Sequence, residues 1–314
     1  MNGVARFTMT VLLVVMLTGC ATPSQILPSP TATLQPTLPS PTATQLPPEP
    51  PFTNVLVYDP PEMYKVIVET VQYPTLSEPS KTLPMDVFYP PDRRPTELLP
   101  AVILVNGFPY SLEYGSRTFA MFPSWGRLIA SYGLIAVAYE THNASDLEAV
   151  IGYIQQKGPD LGIDGSRLGL WSISSHGGLA SSFAFQENRK YLKFAVFYYA
   201  WIMTPDNFMR EEENAACVQY GCLGAELPDV KRLRNDLPVL VVRCGKDSAV
   251  GIAEADHFTQ LATEAEVPLT LVNFDEGSHT FDWRDTSVFG DVKDRAIEII
   301  LQTLEFMKTH ASDP

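Results

Sequence analysis

Residues 167–178 read Arg167-Leu-Gly-Leu-Trp-Ser-Ile-Ser-Ser-His-Gly-Gly178. Leu168 to Ile173 is a short apolar run of the kind found in sheet strands, and it runs directly into serines and then two glycines. A strand that breaks at a serine and resumes as a helix holds that serine on a tight, strained turn with its Oγ above the sheet, the layout of a nucleophile elbow. The usual G-x-S-x-G signature is not present. With Ser174 at the apex the flanking positions are Ser172 and His176; with Ser175 they are Ile173 and Gly177. Each register keeps one small flanking residue, so this stretch leaves both serines open, and a plain Ser/Gly turn beside them. The order of the surrounding elements carries the reading further.

After the stretch, Phe194 to Tyr199 reads as a strand, Pro238 to Arg243 as another, Ile252 to Ala265 as a helix and Pro268 to Phe274 as the last strand. Val292 to Lys308 has Ile297, Ile300, Leu301, Leu304 and Met307 at helical spacing. Before it, Ala101 to Val105 is a continuous apolar run suited to a strand buried on both faces, and it ends in Asn106-Gly107-Phe108-Pro109. Ser124 is placed to cap a helix through Ala130, Leu134 to Tyr139 reads as a strand, and Ser145 is placed to cap a helix from Asp146 to Gln156. Met63 to Tyr73 and Thr82 to Tyr89 read as antiparallel opening strands. Alternating strands and helices predict a mostly parallel sheet covered on both faces, with functional groups on the loops after the strands' carboxyl ends. Residues 202–236 break the alternation as an irregular, acidic insertion after the sixth strand, flanked by Trp201 and including Met203 and Phe208 as candidates for shaping a pocket.

Those loops bring a constellation together. A serine hydroxyl needs a base to take its proton, and the base needs an anionic orienter. Asp247 follows one strand and His279 follows the last, so the order is Ser, Asp, His, each at a strand's C-terminal end. Asp275 shares a loop with His279 only four residues away and is a poorer orienter, while His142, His257 and His310 read as exposed or packing residues. A tetrahedral intermediate also needs backbone N–H donors, and Phe108, following Gly107 after the buried opening strand, is placed to supply one.

Residues 85–308 resemble the α/β-hydrolase superfamily, close to its dienelactone-hydrolase-like branch. The matching stretches are A-V-I-L-V-N-G-F-P, S-W-G-R-L-I-A-S-Y-G, D-G-S-R-L-G-L-W-S-I-S, L-P-V-L-V-V-R-C-G-K-D and G-S-H-T-F-D. In that superfamily the arginine of a D-x-x-R turn precedes the nucleophile by seven residues, and from Arg167 this spacing lands on Ser174. The resemblance implies Asp247 as the acid, His279 as the base, and the N–H groups of Phe108 and Ser175 as the oxyanion hole. It implies a serine hydrolase acting on a small-molecule carboxylic ester through an acyl-enzyme, with no cofactor or metal. Ser172 and the bulky His176 stand where the family has elbow glycines, and they keep Ser175 in contention as nucleophile. Two other readings stay open: a peptidase or amidase with the same triad, and a non-catalytic binding lipoprotein on a hydrolase scaffold.

The rest of the chain speaks to compartment. Of 314 residues, 45% are hydrophobic and 18% charged, and a net charge of −14 argues against nucleic acid as a partner. Residues 1–20 read as a signal peptide: Arg6 is its positive region, Val11 to Leu17 its apolar stretch, and Leu17-Thr18-Gly19-Cys20 resembles the lipobox of bacterial lipoproteins. That resemblance implies lipidation of Cys20, an anchor in a membrane, and a protein facing outside the cytoplasm in the cell envelope. Residues 21–52 carry ten of the 27 prolines, six threonines and a single charge, Glu49, the composition of an extended tether. Residues 53–314 are then one domain. Cys217 and Cys222 are close enough to bridge a small loop, and Cys244 lies in a core strand as a small hydrophobe.

Overall fold

The computed structural model describes residues 52–94, 96–106, 116–205, 230–249, 252–286 and 290–312. Eight strands among them form one sheet in the order β1-β2-β4-β3-β5-β6-β7-β8. They are β1 (Ile67–Pro74), β2 (Thr82–Tyr89), β3 (Leu99–Leu104), β4 (Ile135–Tyr139), β5 (Ile163–Ile173), β6 (Leu192–Tyr198), β7 (Val239–Cys244) and β8 (Leu269–Phe274). β1 and β2 are antiparallel to each other and β2 is antiparallel to β4. From β4 through β8 every pairing is parallel, which is why these strands are apolar runs buried on both faces: all five residues of β4 are buried.

Helices α1 (Met121–Ser131), α2 (Ser145–Leu161), α3 (His176–Ala184), α4 (Ile252–Glu264) and α5 (Gly290–Ala311) cover the sheet. One face packs Leu147, Val150, Ile151 and Ile154 of α2, Phe183 of α3 and Phe258 of α4 against Ile103, Leu170 and Val241. The other packs Phe122, Trp125 and Leu128 of α1 with Ile299, Ile300 and Leu304 of α5 against Val102, Trp171 and Val242. The parallel, doubly covered architecture expected from the sequence is therefore the one observed.

Several local expectations differ. Met63 lies in a 3-10 turn, Pro61–Lys65, and β1 begins only at Ile67; Pro61 at the first position presets the turn. Ser124 sits inside α1 rather than at its cap, where its Oγ donates to the Ala120 carbonyl at 2.7 Å and accepts from Val55 N–H at 3.2 Å. Ser145 is the first residue of α2 and its N–H is capped by Asn143 Oδ1 at 3.0 Å, while Asp146 Oδ2 ties the preceding turn by accepting from the N–H groups of His142 (2.7 Å) and Asn143 (3.0 Å). α2 also runs past Gln156 through Pro159 to a left-handed Gly162 at φ +68, whose N–H closes the helix end. On α5 the buried stripe is Ala296, Ile299, Ile300, Thr303, Leu304 and Met307, whereas Leu301 is 37% exposed. Met203 is fully buried in the core beneath α3, with its N–H donating to Ser181 Oγ at 2.7 Å. Phe108, Phe208, Cys20, Cys217 and Cys222 lie outside the described residues.

Candidate active site

The site is built where the parallel strands end. β5 stops at Ile173, and Ser174 adopts φ +48, a left-handed conformation that costs an L-residue about 1–2 kcal/mol. Its N–H donates to the Tyr198 carbonyl at 3.2 Å, and its own carbonyl accepts from Gly177 N–H (3.1 Å) and Trp201 N–H (3.0 Å). The strained turn is thus tied on both sides by backbone bonds to the end of β6. Gly177 permits this closeness, because a Cβ there would sit 2.4 Å from the Trp201 carbonyl oxygen.

Asp247 and His279 sit on loops that prolong the β7–β8 pairing. Gly245 N–H donates to Phe274 O at 2.9 Å and Lys246 N–H donates to Gly277 O at 2.8 Å, so the two loops remain zipped beyond the sheet. The imidazole spans the gap: His279 Nε2 lies 3.1 Å from Ser174 Oγ, and Nδ1 lies 3.0 and 3.1 Å from the two Asp247 carboxylate oxygens. An Nδ1–H donated to Asp247 leaves Nε2 as the acceptor for the serine proton. Asp275 points elsewhere, its Oδ1 3.9 Å from Arg243 Nη1.

The two serines of the elbow differ in geometry. Ser174 carries both the positive φ and the contact to the base, whereas Ser175 is the N-cap residue of α3 with φ −61 and ψ −23. Its N–H follows Ser174 and has no partner within the helix, at the positive end of a helix dipole where a developing negative charge would be favoured. The residues in place of the elbow glycines are accommodated. Ser172, within β5, is fully buried and its Oγ donates to the Val196 carbonyl of β6 at 3.3 Å. His176 meets the Phe122 ring edge-on at 6.0 Å, and loss of hydration pushes its pKa down to about 4, so it is neutral at neutral pH. Arg167 holds the start of β5 through Asp164 (2.7 Å) and the Leu98 carbonyl (3.3 Å), a support role distant from the reacting groups.

Two residues were not singled out by sequence. Tyr199, immediately after β6, stacks edge-on against the His279 ring with centroids 4.7 Å apart and has φ +38. Asp282, three residues beyond the histidine, is fully buried and accepts hydrogen bonds from Trp125 Nε1 and Tyr199 OH, each at 2.8 Å. Burial raises the Asp282 carboxyl to about 6 and the Tyr199 hydroxyl well above its usual range. An aspartate in a loop carries no sequence mark of burial; the signal was only its place in the run G-S-H-T-F-D. Among the described residues no group of three or more His, Cys, Asp and Glu side chains could hold a metal ion.

No protein-family profile and no curated protein matches the chain. Solved structures do resemble it. The Thermogutta terrifontis esterase 2 phosphonylated by cyclosarin superposes with a TM-score of 0.59 at 18% identity over 78% of this chain and 96% of that one. A variant of the esterase rPPE complexed with (S)-Ac-CPA gives 0.60 at 15% identity over 80% and 85%. The dipeptidyl peptidase 4 of Porphyromonas gingivalis gives 0.56 at 16% identity over 77% of this chain but only 35% of the peptidase. Together with the sheet order and helix placement, this likeness makes the architecture an α/β-hydrolase fold.

Proposed function

We propose that this chain is a serine hydrolase of the dienelactone-hydrolase-like branch that cleaves a small-molecule carboxylic ester. The observation that carries the reading is the unbroken line from Ser174 Oγ through His279 to Asp247, with the serine on a strained turn at the strands' C-terminal ends. Strain of this kind persists only where surrounding structure imposes it, and a protein that merely binds has no use for the line.

The mechanism follows from these groups. As Ser174 Oγ attacks the ester carbonyl, His279 Nε2 takes its proton and Asp247 holds the resulting imidazolium. The negative charge gathering on the carbonyl oxygen is met by Ser175 N–H, with Phe108 N–H as the second donor. Collapse breaks the bond to the alcohol, which leaves with the proton from Nε2. Water then attacks the acyl-enzyme, giving its proton to Nε2, and the acid departs as Ser174 regains a proton. No residue in this scheme calls for a metal or cofactor.

We place the protein outside the cytoplasm, held to a membrane by lipid on Cys20 and a tether over residues 21–52, with 53–314 as the hydrolase domain. The lipobox-like Leu17-Thr18-Gly19-Cys20 and the proline-rich composition support this. Hydrolysis of a short-chain p-nitrophenyl ester, compared with the matching anilide, tests the chemistry. Activity that disappears in His279→Ala is expected, with the ester much the faster substrate. Activity untouched by His279→Ala rejects the triad; preference for the anilide moves the assignment to an amidase.

A further inference from the structure

We infer that Asp282, fastened to Tyr199, is a positioning residue that fixes the His279 ring and adds a second carboxylate near the base. The inference rests on the serine-hydrolase reading above.

The geometry is that of a clamp. Trp125 of α1 donates to Asp282 Oδ2, Tyr199 donates to Oδ1, and the Asp282 backbone carbonyl accepts from Val57 N–H, all at 2.8 Å. Arg284 N–H adds a bond of 2.7 Å to the Val55 carbonyl, and Leu56 and Trp283 form an antiparallel bridge. One helix, the end of a strand and the segment before the sheet therefore converge on a single loop residue three positions after the base.

Tyr199 transmits that hold. It is 3% exposed, with its ring edge-on to His279 on one side and perpendicular to Phe281, centroids 5.8 Å apart, on another. A tyrosine at φ +38 is a true outlier for a bulky L-residue and stays there only under constraint from its neighbours. Among the described residues, the non-glycine positions at positive φ are Ser174, Tyr199, Glu266 and Thr280. Three of these are the nucleophile, the residue packed on the base, and the residue following the base.

A purely structural role does not need a carboxylate. A neutral amide would fill the same space without the cost of burying a charge, which is several kcal/mol unless compensated. The titratable groups facing Asp282 are Tyr198 and Tyr199 at the end of β6, Cys244 at the end of β7, and His279 on its own loop. Of these, His279 is the one that becomes cationic in the reaction. When ionised, Asp282 favours that imidazolium by direct charge–charge attraction.

The test uses the full-length chain with Asp282→Asn, Tyr199→Phe and His279→Ala, assayed on a short-chain p-nitrophenyl ester across pH with melting curves in parallel. Both positioning variants are expected to fold, to lose about tenfold or more in kcat, and to keep KM within about twofold. In Asp282→Asn the acid limb of kcat/KM should move to lower pH, because the imidazolium has lost a nearby negative charge; in Tyr199→Phe, which keeps the carboxylate, it should move less. Tyr199→Phe removes one oxygen only, so the outcome is readable even if Asp282→Asn fails to fold. Wild-type kcat with an unmoved acid limb in Tyr199→Phe and in any folded Asp282→Asn, beside an inactive His279→Ala, overturns the inference and leaves the triad standing. Full activity in His279→Ala overturns the triad reading, and the inference with it.

Discussion

Replacing Gly245 by alanine should separate the acid from the base without touching either. Gly245 is the first residue after β7 and lies two residues before Asp247, and its N–H donates to Phe274 O at 2.9 Å. A Cβ at this position would lie 2.4 Å from the Asp275 carbonyl oxygen and 2.7 Å from Asp275 Cα. Ordinary contact begins near 3.4 Å, so the Asp247 and His279 loops must part by about 1 Å. The obstacle is backbone, so no side-chain rotation relieves it. Bonds from His279 Nδ1 to Asp247 that are now 3.0 and 3.1 Å would open to lengths that no longer count as hydrogen bonds. A displacement of this size costs about 100-fold in kcat, roughly 2.7 kcal/mol of transition-state stabilisation. Overpacking should also lower stability by about 1–3 kcal/mol. The assay is steady-state ester hydrolysis well below the melting temperature of the variant, with active-site titration to count competent enzyme. A folded Gly245→Ala enzyme with kcat within about twofold of wild type refutes the argument that the zipped loops hold the acid against the base.

Other expectations follow from the same structure. Gly152 faces open space on α2, with nothing within 4 Å of an added Cβ, so Gly152→Ala should gain about 0.5–1 kcal/mol in urea denaturation and leave kcat unchanged; a loss of stability contradicts the helix assignment. The carboxyl of Asp282 is raised from 3.8 to about 6, so the native state holds that proton more tightly than the unfolded chain does. Its contribution to stability is therefore full below about pH 4 and is lost as pH rises through about 6, a difference on the order of 3 kcal/mol. Relative to wild type, Asp282→Asn should gain stability between pH 4 and pH 7, and a constant difference across that range refutes the assignment. Cys20→Ser should release the protein from the membrane fraction of a bacterial host that processes lipoproteins; continued membrane association rejects lipidation at Cys20.

The sheet was legible because its strands are continuous apolar runs. Ala101–Val105 and Leu134–Tyr139 can only be buried on both faces, and they lie within a residue or two of β3 and β4. Chain order and strand ends place Ser174, Asp247 and His279 at one sheet edge before any distance is known, and the structure brings the three within hydrogen-bonding distance. Helix starts were less legible: Ser124 and Ser145 are good capping residues by type, but Ser124 was drawn inward to bond Ala120 and Val55, and Asn143 caps the first N–H of α2. The choice between Ser174 and Ser175 needed backbone dihedrals, because two adjacent serines differ in sequence by nothing but register. Tyr199 and Asp282 were silent for a different reason. The bond from Trp125 to Asp282 joins residues 157 positions apart, and no local pattern records such a contact. These two residues give up stability in a strained backbone and a buried carboxylate, the kind of local inconsistency that functional sites maintain.

Labelling of the folded protein with a fluorophosphonate, followed by peptide mapping of the adduct, tests whether Ser174 is the nucleophile. An activated serine attacks phosphorus, displaces fluoride and keeps the phosphonyl group, so a single stoichiometric adduct on Ser174 that is lost in His279→Ala is expected. An adduct on Ser175, or no adduct on protein shown to be folded, would contradict this assignment.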